Sequence, residues 1–110
     1  MKLRILPEVL EDIEQGAEWY DHCGGKTLGD RFLASFYSYL PEILRDALIH
    51  RPVYRQFRRI LIKPFSYAVY FRIHEEWVVV VLVWHTARNP TDLKERLEER
   101  ILGAGASLND

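Results

Sequence analysis

The chain has 110 residues, 48 % of them hydrophobic and 28 % charged, with a formal net charge of −1. That length supports one domain around one core, and the composition is that of an ordinary globular chain. The longest apolar run, Trp77 to Trp84, is too short to cross a bilayer as a helix, and a pI near 6.4 argues against indiscriminate binding of nucleic acid by the whole surface.

Lys2 to Leu6 alternates polar and apolar residues, the pattern of a half-buried strand. Pro7 ends it and suits the first turn of a helix, where its missing N–H is not needed. Val9, Leu10, Ile13, Ala17 and Tyr20 recur at helical spacing behind acidic Glu8, Glu11 and Asp12. Cys23-Gly24-Gly25 should stop this helix. Leu28, Phe32, Phe36, Tyr39, Leu40, Ile43, Leu44 and Ala47 form the stripe of a second helix. Pro41 interrupts it, so a kink or two shorter helices are expected. The two form an antiparallel hairpin that must lay its stripe on a sheet.

Three strands follow: Tyr54 to Ile62, Phe65 to Ile73 after Pro64, and Trp77 to His85 after a tight His74-Glu75-Glu76 turn. Four consecutive valines leave the last strand without a polar face, which places it centrally in the sheet, flanked by the N-terminal strand. Asn89-Pro90-Thr91 opens a final helix, Asp92 to Leu102, and Gly103 to Asp110 should fray. The fold class expected is α+β in one domain over 1–110. It has an N-terminal strand, an α-helical hairpin, a three-stranded antiparallel meander and a C-terminal helix, with the helices on one face of a four-stranded sheet.

Charge is polarised along the chain. Residues 51–74 hold six basic side chains and no acidic one, whereas the first 50 residues hold five basic against nine acidic. A cationic sheet face suits phosphate, nucleic acid or an acidic partner segment. Cys23 is the only cysteine, so no internal disulfide forms. The N-terminus carries basic residues followed by acids, without the apolar run of a signal peptide, and the expected location is the cytoplasm. The four histidines and Cys23 show no zinc spacing, and no glycine loop of the phosphate-cradling kinds is present.

Four strings accompany this element order: Trp19-Tyr20; Arg58-Arg59; Pro64 to Tyr70, PFSYAVY; and Val83 to Pro90, VWHTARNP. Together they resemble the RelE/ParE superfamily of bacterial type II toxin–antitoxin toxins, including the plasmid stabilisation proteins, from Leu3 to about Arg100. The resemblance implies a toxin encoded beside an antitoxin that wraps and blocks it, with no cofactor, no metal and no membrane, as a homodimer or a toxin–antitoxin hetero-oligomer. RelE-like members cleave mRNA on the ribosome. ParE-like members poison DNA gyrase and have no accepted catalytic site.

RNA cleavage needs a base, an acid and cations on the phosphate. His85, ending a strand, is the candidate catalytic imidazole, with Arg59 beside it if the chain is a nuclease. Arg58, Lys63, Arg72 and Arg88 are candidates for target or phosphate contact. The structural alternatives are specific. His85 orients the turn into Asn89-Pro90 by a backbone hydrogen bond, Arg59 pairs with Glu14 or Glu18, and Arg58 and Arg72 are solvated. Trp77 and Trp84 pack the sheet. Only four lysines are present, Lys2, Lys26, Lys63 and Lys94, and about 25 residues follow His85. Both features favour the ParE-like branch over the nuclease. A degenerate, non-toxic antitoxin-binding member is the third reading.

Overall fold

The structure, a computed structural model, describes the backbone of residues 1–109 and the side chains of residues 1–103. β1 (Lys2–Ile5) leads through Pro7 into α1 (Pro7–Gly24), with Leu6 as the extended residue before it. Gly25, at φ 86°, is the whole connection to α2 (Lys26–Asp46). Its N–H donates to the Asp21 carbonyl at 2.9 Å, and its left-handed backbone is one that a side chain resists. α2 runs unbroken through Pro41. Tyr37, whose carbonyl loses its bond there, is half exposed and open to water.

The expected Tyr54–Ile62 strand is in fact two, so the sheet has five strands rather than four. β2 (Pro52–Tyr54) turns at Arg55, φ 51°, into β3 (Phe57–Leu61). Arg55 takes a left-handed conformation without being glycine or asparagine, so no turn residue marks the place. A cis Lys63-Pro64 bond separates β3 from β4 (Tyr67–His74). After a two-residue turn, β5 spans Trp77–His85. The strand order is β1-β5-β4-β3-β2, with β1 parallel to β5 and the other pairs antiparallel.

The register assigns the two faces. Tyr67, Val69 and Phe71 share one face with His85, Val83 and Val80. The hairpin lies on this face: Phe32 meets Tyr67 at 5.0 Å and Tyr20 meets it at 5.9 Å between ring centroids. Val9, Ile13, Phe32, Phe36 and Ile43 are buried there, each contributing about 1.5–3 kcal/mol by leaving water. Ala68, Tyr70, Leu82 and Trp84 point the other way. That side is covered by α3 (Pro90–Asn109), with Arg96 over the Trp84 ring and Glu98 accepting a bond from the Tyr54 hydroxyl. The hairpin therefore covers one face as expected, while the C-terminal helix takes the other. The valines of β5, polar on neither side, require both covers. α3 runs past the expected end at Leu102 to Asn109. Asp110, the last residue of the tail expected to fray, lies outside the described residues.

Candidate functional site

β1 accompanies β5 only as far as Val80, which leaves the second half of β5 as a sheet edge. Between Tyr70 and Phe71 the register slips, so that Val81 is an extra residue in β5. Two helices close on this edge from opposite faces. Asp12 of α1 accepts the Val83 N–H at 3.0 Å, and Arg100 of α3 donates to the Val81 carbonyl at 2.9 Å. The two side chains also pair with each other, Arg100 Nη2 to Asp12 Oδ1 at 2.7 Å, at 8 % and 9 % exposure. The pair supplies the hydrogen bonds that a neighbouring strand would otherwise supply.

Next to this closure lies a groove of about 390 Å³. Asp12, Gln15 and Trp19 reach it from one face of α1, three and four residues apart. β5 contributes Val83, Trp84 and His85, the following turn Arg88, and α3 Arg96. His85 stacks on Trp19 at 6.2 Å and meets Tyr67 edge-on at 5.0 Å. Its Nδ1 accepts the Ala87 N–H at 3.1 Å. That lone pair is therefore engaged, and the neutral ring carries its proton on Nε2. Trp84 is 5 % exposed, with the Arg88 and Arg96 guanidinium groups 4.3 and 5.5 Å from its ring. Among the described residues, its buried indole N–H has no partner. Burial pushes the Tyr67 phenol above its ordinary range, and the neighbouring Tyr20 adds to the shift.

The structure brings together only some of the residues proposed from the sequence. His85 and Arg88 share the groove, and with Arg59 they also line a second hollow of about 230 Å³. Arg58 points the other way. Its Nη1 donates to the carbonyls of Ala47, Leu48 and His50, at 3.3, 3.3 and 2.6 Å, and so holds the end of α2. Arg59 pairs across the sheet with Tyr70 and therefore faces away from the hairpin, which leaves Glu14 and Glu18 of α1 on the opposite side. Lys63 is exposed before Pro64. Arg72 is half-buried on β4, and its Nε is a buried donor without a partner among the described residues.

His85 does make the backbone bond weighed in the sequence reading, though to Ala87 rather than farther along the turn. Asp12, Trp19, Arg96 and Arg100 escaped that reading. Asp12 and Arg100 lie 88 positions apart, and the helical stripe marks only their apolar neighbours. Among the described residues no three His, Cys, Asp or Glu side chains converge on a point where a metal could sit, and no helix is long and apolar enough to cross a membrane.

Residues 3–90 match the family described as the ParE toxin of the type II toxin-antitoxin system, parDE. No curated protein matches the chain. The matched segment includes Asp12, Trp19, Trp84, His85 and Arg88. Arg96 and Arg100 lie beyond it.

Proposed function

The chain belongs to the ParE toxin family of type II toxin–antitoxin systems, and we propose that it arrests growth by binding DNA gyrase and is neutralised by its antitoxin. The observation that carries this reading is the His85 hydrogen bond. A general base needs a free lone pair within reach of the proton it removes. The Nδ1 lone pair accepts from Ala87, which in a neutral ring leaves Nε2 as the N–H donor, so the imidazole is set as a structural link and a donor. Arg58, one of the cations proposed for phosphate, is engaged with backbone carbonyls. Both features favour target binding over cleavage. The decisive assay adds purified chain to gyrase and relaxed plasmid. Loss of supercoiling with trapped double-strand breaks is expected, and unchanged supercoiling refutes the reading.

A second reading, ribosome-dependent mRNA cleavage, is favoured by one feature. His85, Arg59 and Arg88 line the same hollow, where a protonated Nε2 and two guanidinium groups suit a leaving oxygen and a phosphate. Codon-specific cuts in ribosome-bound mRNA after induction, with gyrase unaffected, would select it.

A further inference from the structure

The groove beside β5 carries more hydrogen-bond donors than acceptors, and the fold leaves the excess unused. Asp12 is the one carboxylate lining it. Both its oxygens are taken, by Arg100 and by the Val83 N–H. The remaining polar wall is rich in donors. The Trp84 indole N–H is buried without a partner among the described residues, in a side chain only 5 % exposed. His85 keeps its Nε2 N–H, because Nδ1 accepts from Ala87. Arg88 is exposed. Among the described residues its side chain makes no hydrogen bond and no ion pair, and it lies against the Trp84 ring, 4.3 Å from the centroid. Burial and then Tyr20 raise the Tyr67 phenol, and the Arg88 charge pulls it back, so the guanidinium is within electrostatic reach of the groove wall.

Arg96 lies 5.5 Å from the same ring and pairs with Glu99 at 3.6 Å, a contact between water-accessible side chains that a better acceptor displaces. On the outer side Asp92, Glu95 and Glu99 share a hollow of about 210 Å³ with the two arginines, and these carboxylates repel an anion there. The inner groove offers the same guanidinium groups with its carboxylate already neutralised. Its walls are aromatic, with Trp19, Tyr67, Trp84 and His85 all lining it. Trp19 is 43 % exposed, which leaves indole surface for a flat ring to stack on. The groove's volume of about 390 Å³ is at the small end of the roughly 300–1,000 Å³ of small-molecule sites.

We propose that this groove binds a small planar anion, an aromatic ring bearing a phosphate or a carboxylate. The oxyanion takes the Arg88 and Arg96 guanidinium groups and the Trp84 N–H, and the ring lies against Trp19. The covered Trp84 N–H is reached when Arg88, fixed by no hydrogen bond, lifts from the indole onto the anion. The site is separate from whichever macromolecule the chain attacks and needs no part of the gyrase reading.

The test titrates the isotope-labelled full chain with adenosine monophosphate, indole-3-carboxylate, adenosine, inorganic phosphate and a trinucleotide, and follows the indole N–H signals. Adenosine monophosphate or indole-3-carboxylate should move the Trp84 N–H downfield as it gains an acceptor, and should move the Trp19 signal with it. The tighter of the two tells whether phosphate or carboxylate is the preferred group. Adenosine lacks the anion and inorganic phosphate lacks the ring, so each should bind about tenfold or more weakly. Arg88→Gln, at an exposed turn, should weaken the aromatic anions about tenfold or more and leave adenosine unchanged. Trp19→Leu should weaken both adenosine and its monophosphate about fivefold or more and leave inorganic phosphate unchanged. Lys94→Gln, beside the neighbouring hollow, should change nothing. Adenosine or inorganic phosphate binding as tightly as the aromatic anions, binding untouched by Arg88→Gln, binding of the trinucleotide alone, or a Trp84 N–H that does not move would each overturn the proposal.

Discussion

Asp12→Ala removes the carboxylate that joins α1, the β5 edge and α3. The Arg100 guanidinium then stays buried without its counter-charge, and the Val83 N–H loses its acceptor. Breaking one partner of a buried ion pair costs about 3–5 kcal/mol, a large part of the roughly 5–15 kcal/mol that holds a domain together. At about 4 °C or more per kcal/mol for a chain of this size, the melting temperature should fall by about 12 °C or more. Asp12→Leu combined with Arg100→Leu should cost less than the sum of the single changes. It leaves no unpaired charge, only the Val83 N–H and Val81 carbonyl unbonded, at roughly 1–3 kcal/mol each. The exposed Lys2–Glu76 pair, with side chains 62 % and 64 % accessible, is the control: Glu76→Ala should change stability by under about 1 kcal/mol. Urea denaturation reads all five variants, the two single leucine changes included. A lower slope for Asp12→Ala would mean that α3 has detached in the native state. If Asp12→Ala stays within about 1 kcal/mol of the natural chain, the pair does not close the edge in the way described.

His85→Ala removes the Ala87 bond and the Trp19 stack, so calorimetry should show melting lower by roughly 4–8 °C, with toxicity falling only in proportion; toxicity lost at full stability would assign His85 to chemistry. A Cβ on Gly29 would lie 2.6 Å from the Ala17 carbonyl oxygen, so Gly29→Ala should destabilise the α1–α2 contact by about 1–3 kcal/mol. Gly103→Ala meets open space and should be neutral or slightly stabilising in thermal melts. The raised Tyr67 phenol means that the folded chain holds this proton more tightly than the unfolded one. Its contribution is complete below an unfolded pKa of about 10 and declines as pH rises above it. A near-ultraviolet titration should show a late tyrosine phase that is lost in Tyr67→Phe. Simultaneous ionisation would contradict the burial.

What the sequence by itself determined was everything carried by neighbours along the chain. Period-two alternation marked β1, helical stripes marked α1 and α2, and Gly25 and Pro64 marked breaks that the backbone respects. The valine run placed β5 inside the sheet rather than at its edge before any pairing was visible. The two places where local reading failed have a common cause. The β2–β3 turn uses Arg55 in a conformation that its side chain does not announce, and it forms because Tyr54 stacks on Phe57 at 6.2 Å and bonds Glu98 of a distant helix. Which of Arg58, Arg59 and Arg100 is free, and which is spent, was likewise settled only in three dimensions. Arg58 and Arg59 differ by one position in a strand and so face opposite layers. Arg100 falls in a helix that looks amphipathic and ordinary, yet it is buried with Asp12 because β1 ends short and the bulge at Val81 leaves a carbonyl bare. Local periodicity specifies which face of an element is apolar. The hydrogen bonds an edge still lacks depend on where every other strand stops, and that is a property of the assembled sheet.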